Sequence, residues 1–100
     1  MKIAISAEED SKESKVSQLS GRAPFYLIFE DSELVKKIKN PFKIGGGGAG
    51  FSVAQMLADE NVDLVISGSF GGNMISALEN KGIKHKEVSG ITVKEALDNA

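Results

Sequence analysis

From residue 49 onward the chain switches repeatedly between two periodicities, and that alternation constrains the fold more than any other feature. Ala49 to Glu60 reads as a helix, with polar Ser52, Gln55 and Asp59 on one side. Phe51, Val53, Ala54, Met56, Leu57 and Ala58 cover the rest. Asn61 suits a C-terminal cap, and Asp63 to Ser67 is a short apolar run of the kind buried inside a parallel sheet. A second helix follows to about Lys81, with Met74, Ile75, Ala77 and Leu78 facing inward and Gly82 as its C-cap glycine. Lys84 to Val88 is a modest last strand, and Thr92-Val93-Lys94-Glu95 is a capping box opening a final helix. Strands alternating with helices favour right-handed crossovers and parallel pairing.

The first half reads differently. Lys2 to Ala7 is a β-branched and apolar first strand. The polar run from Glu8 to Lys15, continuing through Arg22, reads as a long surface loop. Phe25 to Phe29 is a strand buried on both faces, and Asp31-Ser32 is a tight turn into Glu33 to Lys39. On that third strand Leu34 and Ile38 are expected on one face, and its lysines mark a sheet edge guarded against stray pairing. Asn40-Pro41 ends it. The order is β-β-β-α-β-α-β-α, a three-layer α/β domain with a mixed sheet, and residues 1–100 read as one domain.

Composition bounds the chemistry. With 100 residues, a net charge of −2 and no basic excess, nothing points to nucleic acid. No apolar run is long enough to span a bilayer, and charge arrives by Glu8, so a cytoplasmic protein without a membrane partner is expected. The absence of cysteine removes disulfides and thiolate ligands, and His85 is the one histidine. His85 sits between Lys84 and Lys86 and reads as a solvated edge residue, while Glu8, Glu9 and Asp10 read as solvated surface. No nucleophile–base–acid set is visible, so no enzyme is called for.

The run Lys43-Ile44-Gly45-Gly46-Gly47-Gly48-Ala49-Gly50 raises the sharpest question, because glycine is entropically costly. It satisfies a dinucleotide fingerprint and half of a phosphate loop, yet Phe51 stands where the phosphate-loop lysine belongs, and no nucleotide is expected. Glycines before a helix still leave first-turn N–H groups bare at the positive end of the dipole. Ser67 to Asn73 repeats the arrangement, and the two helix starts can converge with Ser6 and Arg22 on an anionic or electron-rich ligand. The alternative is that the glycines only permit tight turns.

Several segments together resemble a known family. Ser14-Lys15-Val16-Ser17, Gly21-Arg22-Ala23-Pro24-Phe25, Asn40-Pro41, Gly47-Gly48-Ala49-Gly50, Val53 to Leu57, Val62 to Gly68 and Thr92 to Leu97 resemble the dinitrogenase iron–molybdenum cofactor biosynthesis family of nitrogenase accessory proteins. The resemblance covers nearly the whole chain, in order. It implies a ribonuclease H-like fold whose five-stranded sheet has the order 3-2-1-4-5, with strand two antiparallel. It further implies binding of the iron–molybdenum cofactor or an iron–sulfur precursor by a carrier rather than a catalyst, with a cluster donor or acceptor protein as partner. The candidate cofactor-binding positions it marks are Gly21, Arg22, Gly47, Gly48, Gly50, Gly68, Gly71, Gly72 and Asn73; it assigns no metal ligand. Family members often carry His-Phe before Gly-Arg-Ala-Pro, whereas this chain has Gln18-Leu19-Ser20 before Gly21. A protein-interaction or small-anion module on the same fold is therefore the alternative. A nuclease would need carboxylates on the central strands, and Lys2 to Ala7 carries none.

Overall fold

The computed structural model describes residues 1–42 and 48–100. Its elements are β1 (Lys2–Ala7), β2 (Phe25–Glu30), β3 (Glu33–Lys39), α1 (Ala49–Asp59), β4 (Leu64–Ser67), α2 (Gly72–Asn80), β5 (Lys84–Glu87) and α3 (Val93–Asp98). They form one five-stranded sheet in the order β3-β2-β1-β4-β5. β2 runs antiparallel to both neighbours, and β1, β4 and β5 are mutually parallel. The order and the odd strand match the expectation.

Period-two alternation sends consecutive strand residues to opposite faces, which is why so short a sheet is apolar on both. Ala4, Tyr26, Ile28 and Val65 pack under Val53, Ala54 and Leu57 of α1 and Met74, Ala77 and Leu78 of α2. Ile5, Leu27, Phe29 and Ile66 pack against Val93 and Ala96 of α3 and against Val16. The result is three layers, with α1 and α2 on one side and α3 on the other. Helix ends follow their sequence signals. Asn61 and Gly82 adopt left-handed φ values of 61° and 71° just past α1 and α2. Thr92 and Glu95 complete a reciprocal capping box on α3.

Three expectations need correction. Leu34 and Ile38 lie on opposite faces, because a bulge interrupts the β2–β3 register. Phe29 faces Leu34 while Ile28 faces Lys36, leaving Val35 as the extra residue and reversing the alternation beyond it. Ile38 joins the α1–α2 side and Leu34 the α3 side. The segment after β1 is not surface throughout: residues 8–13 are largely exposed, but Ser14, Val16, Ser17, Ser20 and Ala23 are buried. Isolated bridges join Ala7 to Val16, Lys15 to Thr92 and Leu19 to Ser69, so this stretch is woven into the fold. Phe51, counted on the apolar side of α1, is half exposed. No helix among the described residues is long and apolar enough to cross a membrane.

Candidate functional site

Because β1, β3 and β4 all point the same way, the segments leaving them emerge at one edge of the sheet. They are the 8–24 segment, the approach to α1 and the β4–α2 turn. Ligands of open α/β sheets gather at such carboxyl edges, where neighbouring connections diverge. Here the three segments enclose a cleft of about 490 Å³, lined by residues 19–22, 48–50, 69 and 71–74. That volume is ordinary for a small-ligand site.

Serines, unpromising as catalytic groups here, tie the first wall down. The Ser17 carbonyl accepts from the Gly68 N–H at 2.8 Å and from the Ser67 hydroxyl at 3.2 Å. Ser6 and Ser67, both fully buried, bond to each other through their hydroxyls at 2.6 Å. Gly68 must be glycine for this contact. A Cβ there would stand 2.6 Å from Gln18 Cα and 2.8 Å from the Gln18 carbonyl oxygen. Further along, the Ser20 N–H donates to Ser69 at 3.0 Å, and the Tyr26 hydroxyl donates to the Ser20 carbonyl at 2.6 Å. Burial pushes the Tyr26 phenol pKa strongly upward, so it remains a donor. Asn40 finishes the clamp: its Nδ2 donates to the carbonyls of Gly21 (3.2 Å) and Ala23 (2.9 Å), and its Oδ1 accepts from the Phe42 N–H.

The opposite wall is made of two helix starts. Gly48, at φ +91°, caps α1, and Gly71 caps α2; neither supplies a side-chain cap, and neither first turn holds an acidic residue. Among the described residues no side-chain cap meets their first-turn N–H groups, and the positive ends of both dipoles lie behind them. Gly50 lets the starts approach, since its Cβ would lie 3.0 Å from the Met74 amide nitrogen. Gly71 and Gly72 are different. A Cβ on either would meet nothing within 4 Å, and neither has a positive φ. Neither a positive φ nor a close neighbour requires glycine there, and both residues line the cleft.

The structure brings Gly21, Arg22, Gly48, Gly50, Gly71, Gly72 and Asn73 to this cleft. Gly47 lies outside the described residues. Gly68 is turned away, onto a smaller cavity of about 170 Å³ shared with Gln18, Ser89 and Gly90. Ser6 lies beneath the wall, bonded to Ser67, and does not line the cleft. His85 is half-buried on β5 with its ring 4.9 Å from that of Phe70, away from the cleft and less solvated than the sequence suggests. No group of three or more His, Asp or Glu side chains among the described residues is disposed to hold a metal ion. Sequence reasoning passed over Tyr26, Asn40 and Ser20. Asn40 carries a signal, as a polar residue between an edge strand and proline and as part of the Asn40-Pro41 segment of the family resemblance, but neither assigns its side chain the clamp. Ser20 carries none: its Oγ is buried without a partner among the described residues, in a residue of the cleft wall.

A family model described as dinitrogenase iron-molybdenum cofactor matches residues 1–100. The apo form of the orange protein from Desulfovibrio gigas is similar, with a TM-score of 0.92 and 27% identity over 98% of this chain and 84% of that one. A Thermotoga protein assigned as NifB has a TM-score of 0.84 and 30% identity, covering 97% of this chain and 84% of the other. A dinitrogenase-type protein from Methanocaldococcus jannaschii, at 22% identity, TM-score 0.67 and coverage of 97% and 84%, shares the fold. No curated protein sequence matches significantly.

Proposed function

The chain belongs to the dinitrogenase iron–molybdenum cofactor family, and from that premise we propose that it is a non-catalytic accessory protein whose cleft holds an anionic metal–sulfur cluster in transit. The cargo would be the iron–molybdenum cofactor or an iron–sulfur precursor, received from one protein and passed to another.

One observation carries the reading. Donors from two uncapped helix starts and the Arg22 segment converge on a space that Gly71 and Gly72 leave open without any structural need for glycine. Amides at a helix start favour negative charge, each such interaction being worth about 0.3–1 kcal/mol at an exposed site. No carboxylate among the described lining residues opposes it. The described lining also holds no imidazole or thiol, so a cluster would keep its own ligands and be gripped through its outer sulfur or oxygen atoms. The same lining favours a second reading, a site for a small inorganic anion, since N–H and guanidinium donors do not by themselves demand a cluster.

The test is anaerobic gel filtration of the protein mixed with isolated iron–molybdenum cofactor, with a simple iron–sulfur cluster, or with molybdate. Stoichiometric co-elution of metal and protein, weakened in Arg22→Ala, supports the carrier. Retention of molybdate alone supports the small-anion site, and binding of none of the three rejects both.

A further inference from the structure

We propose that Ser20 is a specificity-determining residue of the cleft, its hydroxyl donating a hydrogen bond to an acceptor atom of the bound anion. The inference rests on the anion-holding reading above. Ser20 lies on the cleft wall and is 1% exposed. Both of its backbone polar groups are engaged, the N–H with Ser69 and the carbonyl with the Tyr26 hydroxyl. The residue is thus held from the β4–α2 turn on one side and from β2 on the other, and only its hydroxyl remains. That Oγ is the buried side-chain polar atom left without a partner among the described residues.

Neglect of serines is not general here. Ser6, Ser14, Ser17 and Ser67 are buried as well, and each hydroxyl has a partner, the longest being Ser17 to the Leu19 carbonyl at 3.5 Å. An unsatisfied buried hydroxyl lowers stability, and alanine at the same backbone position would avoid the cost. A hydroxyl kept at such a place points to a partner that arrives from outside. The Ser20–Gly21 turn abuts the start of α1, Gly21 standing so close that a Cβ on it would lie 3.5 Å from the Gly50 amide nitrogen. Ser20 therefore adds a hydroxyl donor beside the two sets of helix-start amides. A ligand whose acceptor atoms reach the helix starts alone would leave Ser20 unpaired. An anion with a further acceptor for Ser20 satisfies all three, and buried donors discriminate strongly against ligands that leave them unpaired.

Wild-type protein and Ser20→Ala are titrated anaerobically with isolated iron–molybdenum cofactor, and both are melted without ligand. The expected result is a variant that melts at or above the wild-type temperature and binds about tenfold more weakly. Equal affinity for the two proteins overturns the role of Ser20 and leaves the anion-holding cleft standing. A lower melting temperature for ligand-free Ser20→Ala means that the hydroxyl has a structural partner, and also overturns it. No binding by the wild type defeats the anion-holding reading itself.

Discussion

Glycine carries opposite meanings at positions four residues apart. At Gly68 a Cβ would collide with backbone atoms of Gln18 that are themselves pinned by the Ser69 amide. Overpacking against backbone costs about 1–3 kcal/mol, so Gly68→Ala should lower the urea midpoint substantially. At Gly72 the added methyl meets nothing, and alanine is the better helix former by about 0.8–1 kcal/mol in a helix interior, somewhat less in a first turn. Gly72→Ala should therefore raise the urea midpoint while weakening binding of the iron–molybdenum cofactor. A stabilised variant with full affinity would show that the open space at Gly72 is not used. Both residues read identically in the sequence, as glycines beside a helix start. What separates them is a segment some fifty positions away in the chain, a contact that no local pattern encodes.

At the scale of elements, most of the architecture was legible because each signal was local. Short apolar and β-branched runs mark the strands, Asp31-Ser32 the turn, and Thr92 to Glu95 the start of α3. The turn has positive φ at both central residues, 51° and 70°, as a two-residue hairpin of the favoured hand requires. The bulge at Val35 was not legible, since it is set by pairing with β2 and leaves no mark in β3 itself. Nor was the docking of residues 14–23, a polar stretch whose burial depends on Tyr26, Asn40, Ser67 and Thr92. The capping box makes a sharper prediction. Thr92→Ala should cost about 1 kcal/mol, read from urea melts. Bonds from the Thr92 backbone and hydroxyl hold the Glu95 carboxyl below the usual glutamate range. A depressed folded-state pKa gives stability that is present above the unfolded value and lost as pH falls through the folded one. Stability of the wild type should therefore decline below the ordinary glutamate range, with part of that decline missing in Glu95→Gln. Identical pH profiles for the two proteins would remove Glu95 from the account.

The whole molecule is organised around one edge of its sheet. The strand order that creates this edge could not be read from the residues, because several arrangements of five short apolar strands satisfy the same periodicity; the family resemblance supplied it. The cleft draws on three segments that are distant in the chain, the first bonded to the β4–α2 turn and the α1 start packed closely against both, so an anion held there would fasten them to one another. A ligand that binds only the folded state adds about 2.7 kcal/mol at a hundredfold excess over its Kd. For a chain of this size that is a rise of roughly 10–20 °C, at about 4–8 °C per kcal/mol. Anaerobic melting with and without isolated iron–molybdenum cofactor measures it. If the contact is made by helix-start amides and Arg22, the rise should shrink as ionic strength increases, because exposed charge is screened beyond about 10 Å at 0.1 M salt. It should also be smaller in Gly72→Ala, even though that variant melts higher without ligand. A rise of full size in Gly72→Ala and in high salt would locate the ligand elsewhere on the molecule and detach the cleft from the family's cargo.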